Sequence, residues 1–171
     1  FLEQFYPLFF DQNKYMMTAG NSPLENPKLS WDDMIKGKKP CETPEQRKIR
    51  FEKLIKKIEE SEADASIARG YASLDVTATT SGQVTDLKLP NSQEEIYTSW
   101  IGDALGIGVQ GGFSILFSNK EILLDIFEGW KLYRTSLDET TMLKGNQINT
   151  WNGQWLSHYY DPREYDADMP L

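Results

Sequence analysis

An α+β fold, mainly helical with a small antiparallel β-hairpin or sheet, is what this sequence predicts. Three observations lead there. Residues 43–58 and 118–133 repeat their apolar side chains at helical spacing behind recognisable N-caps. Residues 72–78 alternate apolar and polar with period two. Glycine and aromatic residues concentrate around 100–117, between amphipathic segments, which places that stretch at the centre of the fold. The 171 residues are enough for one domain with a real core. We assign a single α+β domain to 1–160 and an acidic, poorly ordered segment to 161–171. The chain begins with Phe1 rather than Met, which suggests part of a larger subunit, or pieces of one numbered through.

Taken in order, residues 1–17 are rich in aromatic rings. Leu2, Phe5, Phe9 and Phe10 share a helical face if Pro7 sits in the first turn. Residues 21–29 carry Pro23 and Pro27 and read as loop. Ser30 is placed to cap a short helix that Gly37 closes, and residues 36–41 form a basic exposed linker. The strongest helix signal follows. Thr43 and Gln46 make a capping box, Pro44 takes the first helical position, and Phe51, Leu54, Ile55 and Ile58 form one apolar stripe. Strands at 72–78 and 84–89 pair through a Ser81-Gly82 turn, and Pro90 ends them. Ser92 and Glu95 cap a helix with Ile96, Trp100, Ile101, Ala104 and Leu105 on one face, and Gly106 serves as a left-handed C-cap. Ser118 and Glu121 cap the next helix, whose face is Ile122, Leu123, Ile126, Phe127, Trp130 and Tyr133. Gly129 inside it costs about 1 kcal/mol against alanine, which suggests a close neighbour or simple tolerance.

Charge narrows the function. The chain carries a net −8, unlike a generic nucleic-acid binder. Between Lys36 and Lys57, however, nine basic residues face three acidic ones, a local +6. Arg47, Lys48, Arg50, Lys53 and Lys57 lie on the polar side of the 43–58 helix. That face is either merely solvated or turned toward a polyanion. A second candidate is 144–160, where amides alternate with aromatic rings. Lys144, Asn146, Gln147, Asn149, Trp151 and Asn152 suit base edges or phosphates. The same composition equally suits an ordinary Asn/Gly loop with its tryptophans folded onto the core.

Chemistry has few footholds. Gly106, Gly108 and Gly111 spell G-x-G-x-x-G, but the strand that must precede a dinucleotide loop is missing. One cysteine, Cys41, excludes an internal disulfide and fits a reducing, cytoplasmic setting. With the single histidine, His158, it cannot make a zinc site. The acid pairs Asp32-Asp33 and Glu94-Glu95 are explained by capping. No nucleophile motif is present, so no enzyme, cofactor or metal is expected. No apolar run reaches the roughly 20 residues that span a bilayer.

Certain phrases are familiar. Residues 19–33, Ala-Gly-Asn-Ser-Pro-Leu-Glu-Asn-Pro-Lys-Leu-Ser-Trp-Asp-Asp, with residues 106–112 and Gly129-Trp130, resemble the large subunit of type I CRISPR surveillance complexes. The nearer match is the variant found beside CRISPR-associated transposons, over about the first three-quarters of the chain. The resemblance implies a non-catalytic subunit that contacts crRNA and target DNA, reads a short PAM and touches neighbouring subunits. The acidic total and the short length depart from that family, and no single PAM-reading position carries over. The alternative is an enzyme domain that uses Gly106–Gly112 as a nucleotide or small-ligand loop.

Overall fold

The structure is a computed structural model and describes residues 1–25, 33, 34, 36–73, 84 and 92–161. The fold is mainly helical with a two-stranded antiparallel sheet. Its described elements are α1 (Phe5–Phe9), α2 (Pro44–Glu60), α3 (Gln93–Ala104), β1 (Ile107–Val109), β2 (Phe113–Ile115), α4 (Lys120–Glu139) and α5 (Ile148–Tyr160). The chain divides into two compact units, Phe1–Asp103 and Ala104–Leu171.

The first unit is built on rings. Pro7 lies early in α1, and Phe5, Tyr6, Phe9 and Phe10 are buried, whereas Leu2 is exposed. Tyr6 stands 4.0 Å from Phe51 of α2, centroid to centroid, and Phe10 meets Trp100 of α3 edge-on at 5.6 Å. Rings prefer such tilted contacts because their edges and faces carry opposite partial charge. The predicted capping box of α2 is present: the Gln46 amide donates to Thr43 and the Gln46 side chain accepts from the Thr43 amide. From the expected stripe, Leu54 and Ile58 are fully covered and Phe51 and Ile55 partly so. Ser92 and Glu95 cap α3 reciprocally, as their spacing requires. The Trp100 indole N–H donates to the Ile67 carbonyl at 2.7 Å, which satisfies the one polar atom of a buried ring. Gly37 adopts φ +66° where the short helix was expected to close. Ser30 and most of the predicted 72–89 strands lie outside the described residues. Ser73 and Val84 form an isolated bridge in the parallel sense.

In the second unit the glycine-rich stretch makes the sheet. Ile107 pairs with Ile115, Gly108 with Ser114 and Val109 with Phe113. Gly111 (φ +97°) and Gly112 (φ +81°) supply the turn, a backbone region that side-chain-bearing residues rarely enter. Gly106 is not left-handed, so the expected C-cap is corrected: α3 stops at Ala104, and Gly106 leads into β1 instead. The α4 cap is also shifted by one. Asn119, not Ser118, accepts from the amides of Glu121 and Ile122, because the helix starts at Lys120 and Asn119 takes the N-cap position. Ile126, Trp130, Tyr133 and Leu137 of α4 and Ile148 and Trp151 of α5 are buried, with Tyr133 and Trp151 stacked at 4.8 Å. Gly129 is where the helices close: a Cβ there would lie 2.5 Å from the Trp155 ring.

Candidate interaction surface

Much of the basic face of α2 is committed inside its own unit. Arg47 donates to Asp11 and Asn13, each at 3.2 Å, and to the Glu42 carbonyl at 2.8 Å. Arg50 donates to the Glu42 carboxylate and to the Glu25 carbonyl. Glu42 is buried, and that guanidinium is the ion-pair partner of its carboxylate. The Glu25 carboxyl is held above the usual range by burial, with Arg50 pulling it back. Lys57 reaches Ser66, whose backbone amide and hydroxyl are both tied to Asp64. Lys48 and Lys56 stay exposed beside Glu52 and Glu60, 3.9 and 4.0 Å away, and Lys53 is exposed. Lysines, then, carry the outward positive charge of α2. Its two arginines fasten the helix to the loops before it.

The segment 144–160 is not a loop beyond Gln147. From Ile148 it is helix α5, and the helical spacing turns some of its amides inward. Trp151 and Asn152 are buried. The Asn152 amide donates to the carbonyls of Ala104 and Gly106 at 2.7 and 2.9 Å, and its oxygen accepts the Trp130 indole N–H at 3.0 Å. Asn149 donates to Gly106 as well, at 2.7 Å, and the Trp151 indole N–H donates to Gly129 at 2.9 Å. Asn149 and Asn152 therefore hold the backbone that leads into β1, and Trp151 ties α5 to α4. Lys144, Asn146 and Gln147 remain at the surface, with Asn146 in the left-handed region at φ +66°. The Lys144 carbonyl accepts from the Tyr133 hydroxyl.

The glycine run offers no phosphate cradle. Gly108 lies inside β1 with its Cα against the backbone of Asn149 and Thr150, and Gly111 belongs to a hairpin turn rather than to a helix start. A phosphate loop needs amides converging at a helix N-terminus. Among the described residues, no group of three or more His, Cys, Asp or Glu is placed to hold a metal ion. Nor is any described helix long and apolar enough to cross a membrane.

What the sequence reading missed is the outer strand. The run read as central is largely a surface: every residue from Gln110 to Glu121 is exposed. Phe113 is 72% exposed and Leu116 66%, with Ile115 and Phe117 exposed beside them. Helix α5 covers β1, yet nothing among the described residues covers β2. From Ala104 to Asn119 the sequence has no charged residue. Edge strands are ordinarily blunted by lysine, proline or a bulge, and this one carries none of the charges or prolines. The available signal was that missing charge. Hydropathy alone cannot separate a core strand from a sticky edge.

No protein-family model matches the chain, and neither a curated protein nor a solved structure shows significant similarity to it.

Proposed function

We propose that this chain is a non-catalytic interaction subunit of an RNA-guided DNA-binding complex of the CRISPR surveillance kind, docked on a neighbouring protein through residues 113–117. One observation carries the docking: an uncharged apolar strand with Phe113 and Leu116 largely in solvent. Contiguous exposed apolar surface of this sort marks contact sites, because isolated soluble proteins rarely keep it open to water. The phrases at 19–33 and 106–112 supply the kind of complex, and a cytoplasmic setting belongs to the same reading. The lysine side of α2, with Lys48 and Lys53, and the exposed Lys144, Asn146 and Gln147 are the residues left for crRNA or target DNA. Hydrolytic or nucleotide chemistry at Gly106–Gly112 finds less support, since those glycines are used in a hairpin.

The test is a doubly substituted chain, Phe113→Asp with Leu116→Asp, tagged and isolated from cells that make the whole system. The unaltered chain is expected to elute in a large particle whose absorbance ratio shows bound RNA. The variant should elute as free chain with an unchanged melting temperature. A double variant that stays in the particle removes the docking assignment. An unaltered chain that elutes alone, without nucleic acid, removes the subunit reading.

A further inference from the structure

We infer that the outer edge of β2 takes a strand from the neighbouring protein, so that the hairpin grows into a three-stranded sheet, and that this strand is uncharged and belongs to a basic partner. The inference rests on the docking just proposed and specifies its chemistry. The sheet has two edges. On the β1 side α5 is already in place, with Gly108 and Gly153 allowing its backbone to within van der Waals distance, and Asn149 and Asn152 bonding the carbonyl that precedes the strand. We place growth at β2, whose three residues are all exposed, whereas α5 covers β1 and leaves only Val109 of its three residues exposed. An unpaired strand edge presents amide donors and carbonyl acceptors at regular spacing, and another strand satisfies them without distortion.

Side chains define what that strand carries. Phe113 and Ile115 share one face of the sheet by the two-residue period, and Ser114 lies on the other. Cross-strand neighbours interact directly, so an aromatic and an aliphatic residue favour β-branched or aromatic partners on their face. With no charge between Ala104 and Asn119, a charged residue opposite would be desolvated without a counter-ion. The incoming strand is therefore apolar or hydroxyl-bearing. The partner's charge follows from the chain as a whole. Two copies would bring −8 together with −8, whereas a basic neighbour is attracted to an acidic chain. That favours a different, basic protein over a second copy.

The experiment uses the full chain and an acetylated, amidated eight-residue peptide of alternating valine and threonine. Amide hydrogen exchange is followed at residues 113–117. The peptide is expected to slow exchange there at least about tenfold, in the range set by local opening equilibria. A peptide with the same side chains but alternate N-methylated amides should give no protection, because it lacks the ladder donors. Equal protection by both peptides would mean side-chain adhesion, and no protection by either would mean that the edge accepts no strand. Both results overturn strand addition while leaving the docking test of Phe113→Asp with Leu116→Asp untouched. Protection that grows with the chain's own concentration, without peptide, would assign the edge to a second copy and overturn the basic partner.

Discussion

Single residues decide the interior of the second unit. Asn152 holds three partners in a buried site: the Trp130 indole and the carbonyls of Ala104 and Gly106. Asn152→Ala removes all three bonds, and of these partners the Gly106 carbonyl keeps its bond from Asn149. Each unsatisfied buried group costs about 1–3 kcal/mol, so the melting temperature should fall by roughly 2–4 °C for every kcal/mol lost. Asn152→Asp is expected to be worse, since its oxygens would face two carbonyl oxygens. If calorimetry finds Asn152→Ala no less stable than the parent, the network contributes nothing. Gly129→Ala would push a Cβ into Trp155. The about 1 kcal/mol of helix propensity it gains should be outweighed by roughly 1–3 kcal/mol of overpacking. Adding Trp155→Ala should cancel the penalty attributable to the clash. Gly129 was legible in the sequence as an expensive helical glycine, either approached closely or simply tolerated, and the Trp155 ring decides for close approach. Asn152 was not legible. An amide has the same composition whether it faces a base or a buried carbonyl, and only the turn of α5 decides which.

At the scale of elements, local signals were readable and long-range ones were not. The capping boxes at Thr43 and Ser92 operate within three residues, so their sequence contains the whole interaction. The hairpin expected at 72–89 lies mostly outside the described residues, while an antiparallel pair that the sequence did not suggest stands at 107–115, where two consecutive glycines with positive φ close a tight turn. Helix α2 carries two kinds of basic residue on one polar side, arginines with partners in the loops before it and exposed lysines, and substitution should separate them. Arg50→Ala leaves Glu42 buried without its counter-ion and is expected to cost about 3–5 kcal/mol. Lys53→Ala, on the exposed surface, should stay within about 0.5 kcal/mol. Urea unfolding of both variants is the comparison. Equal losses would mean that Arg50 is no more structural than its neighbour.

For the molecule as a whole, buried phenols set the alkaline limit. Burial first of all pushes Tyr6 up to about 12, and it raises Tyr15 and Tyr133 as well. A phenol whose folded pKa lies above its ordinary value of about 10 resists ionisation in the native state. Below pH 10 both states are neutral and stability is complete. As pH climbs toward 12 the unfolded chain ionises first, so folding is progressively lost. Phenolate absorbance and helical circular dichroism should therefore change together in one step above pH 10, and Tyr6→Phe should move that step upward. A smooth tyrosine titration with helix content retained would show these rings to be accessible.

The uncharged run from Ala104 to Asn119 has one more consequence, and it concerns time rather than structure. Segments with high β-propensity and no charge within them are the ones that coalesce while a chain is still leaving the ribosome. Made without its neighbour, this protein is expected to collect in the insoluble fraction or to occupy chaperones. Made alongside that neighbour, it should be recovered soluble. A Ser114→Lys chain, with a gatekeeper charge restored, should be soluble whatever the order of synthesis. In the proposed complex, the bare strand would tie the chain's abundance to that of the neighbour that covers it.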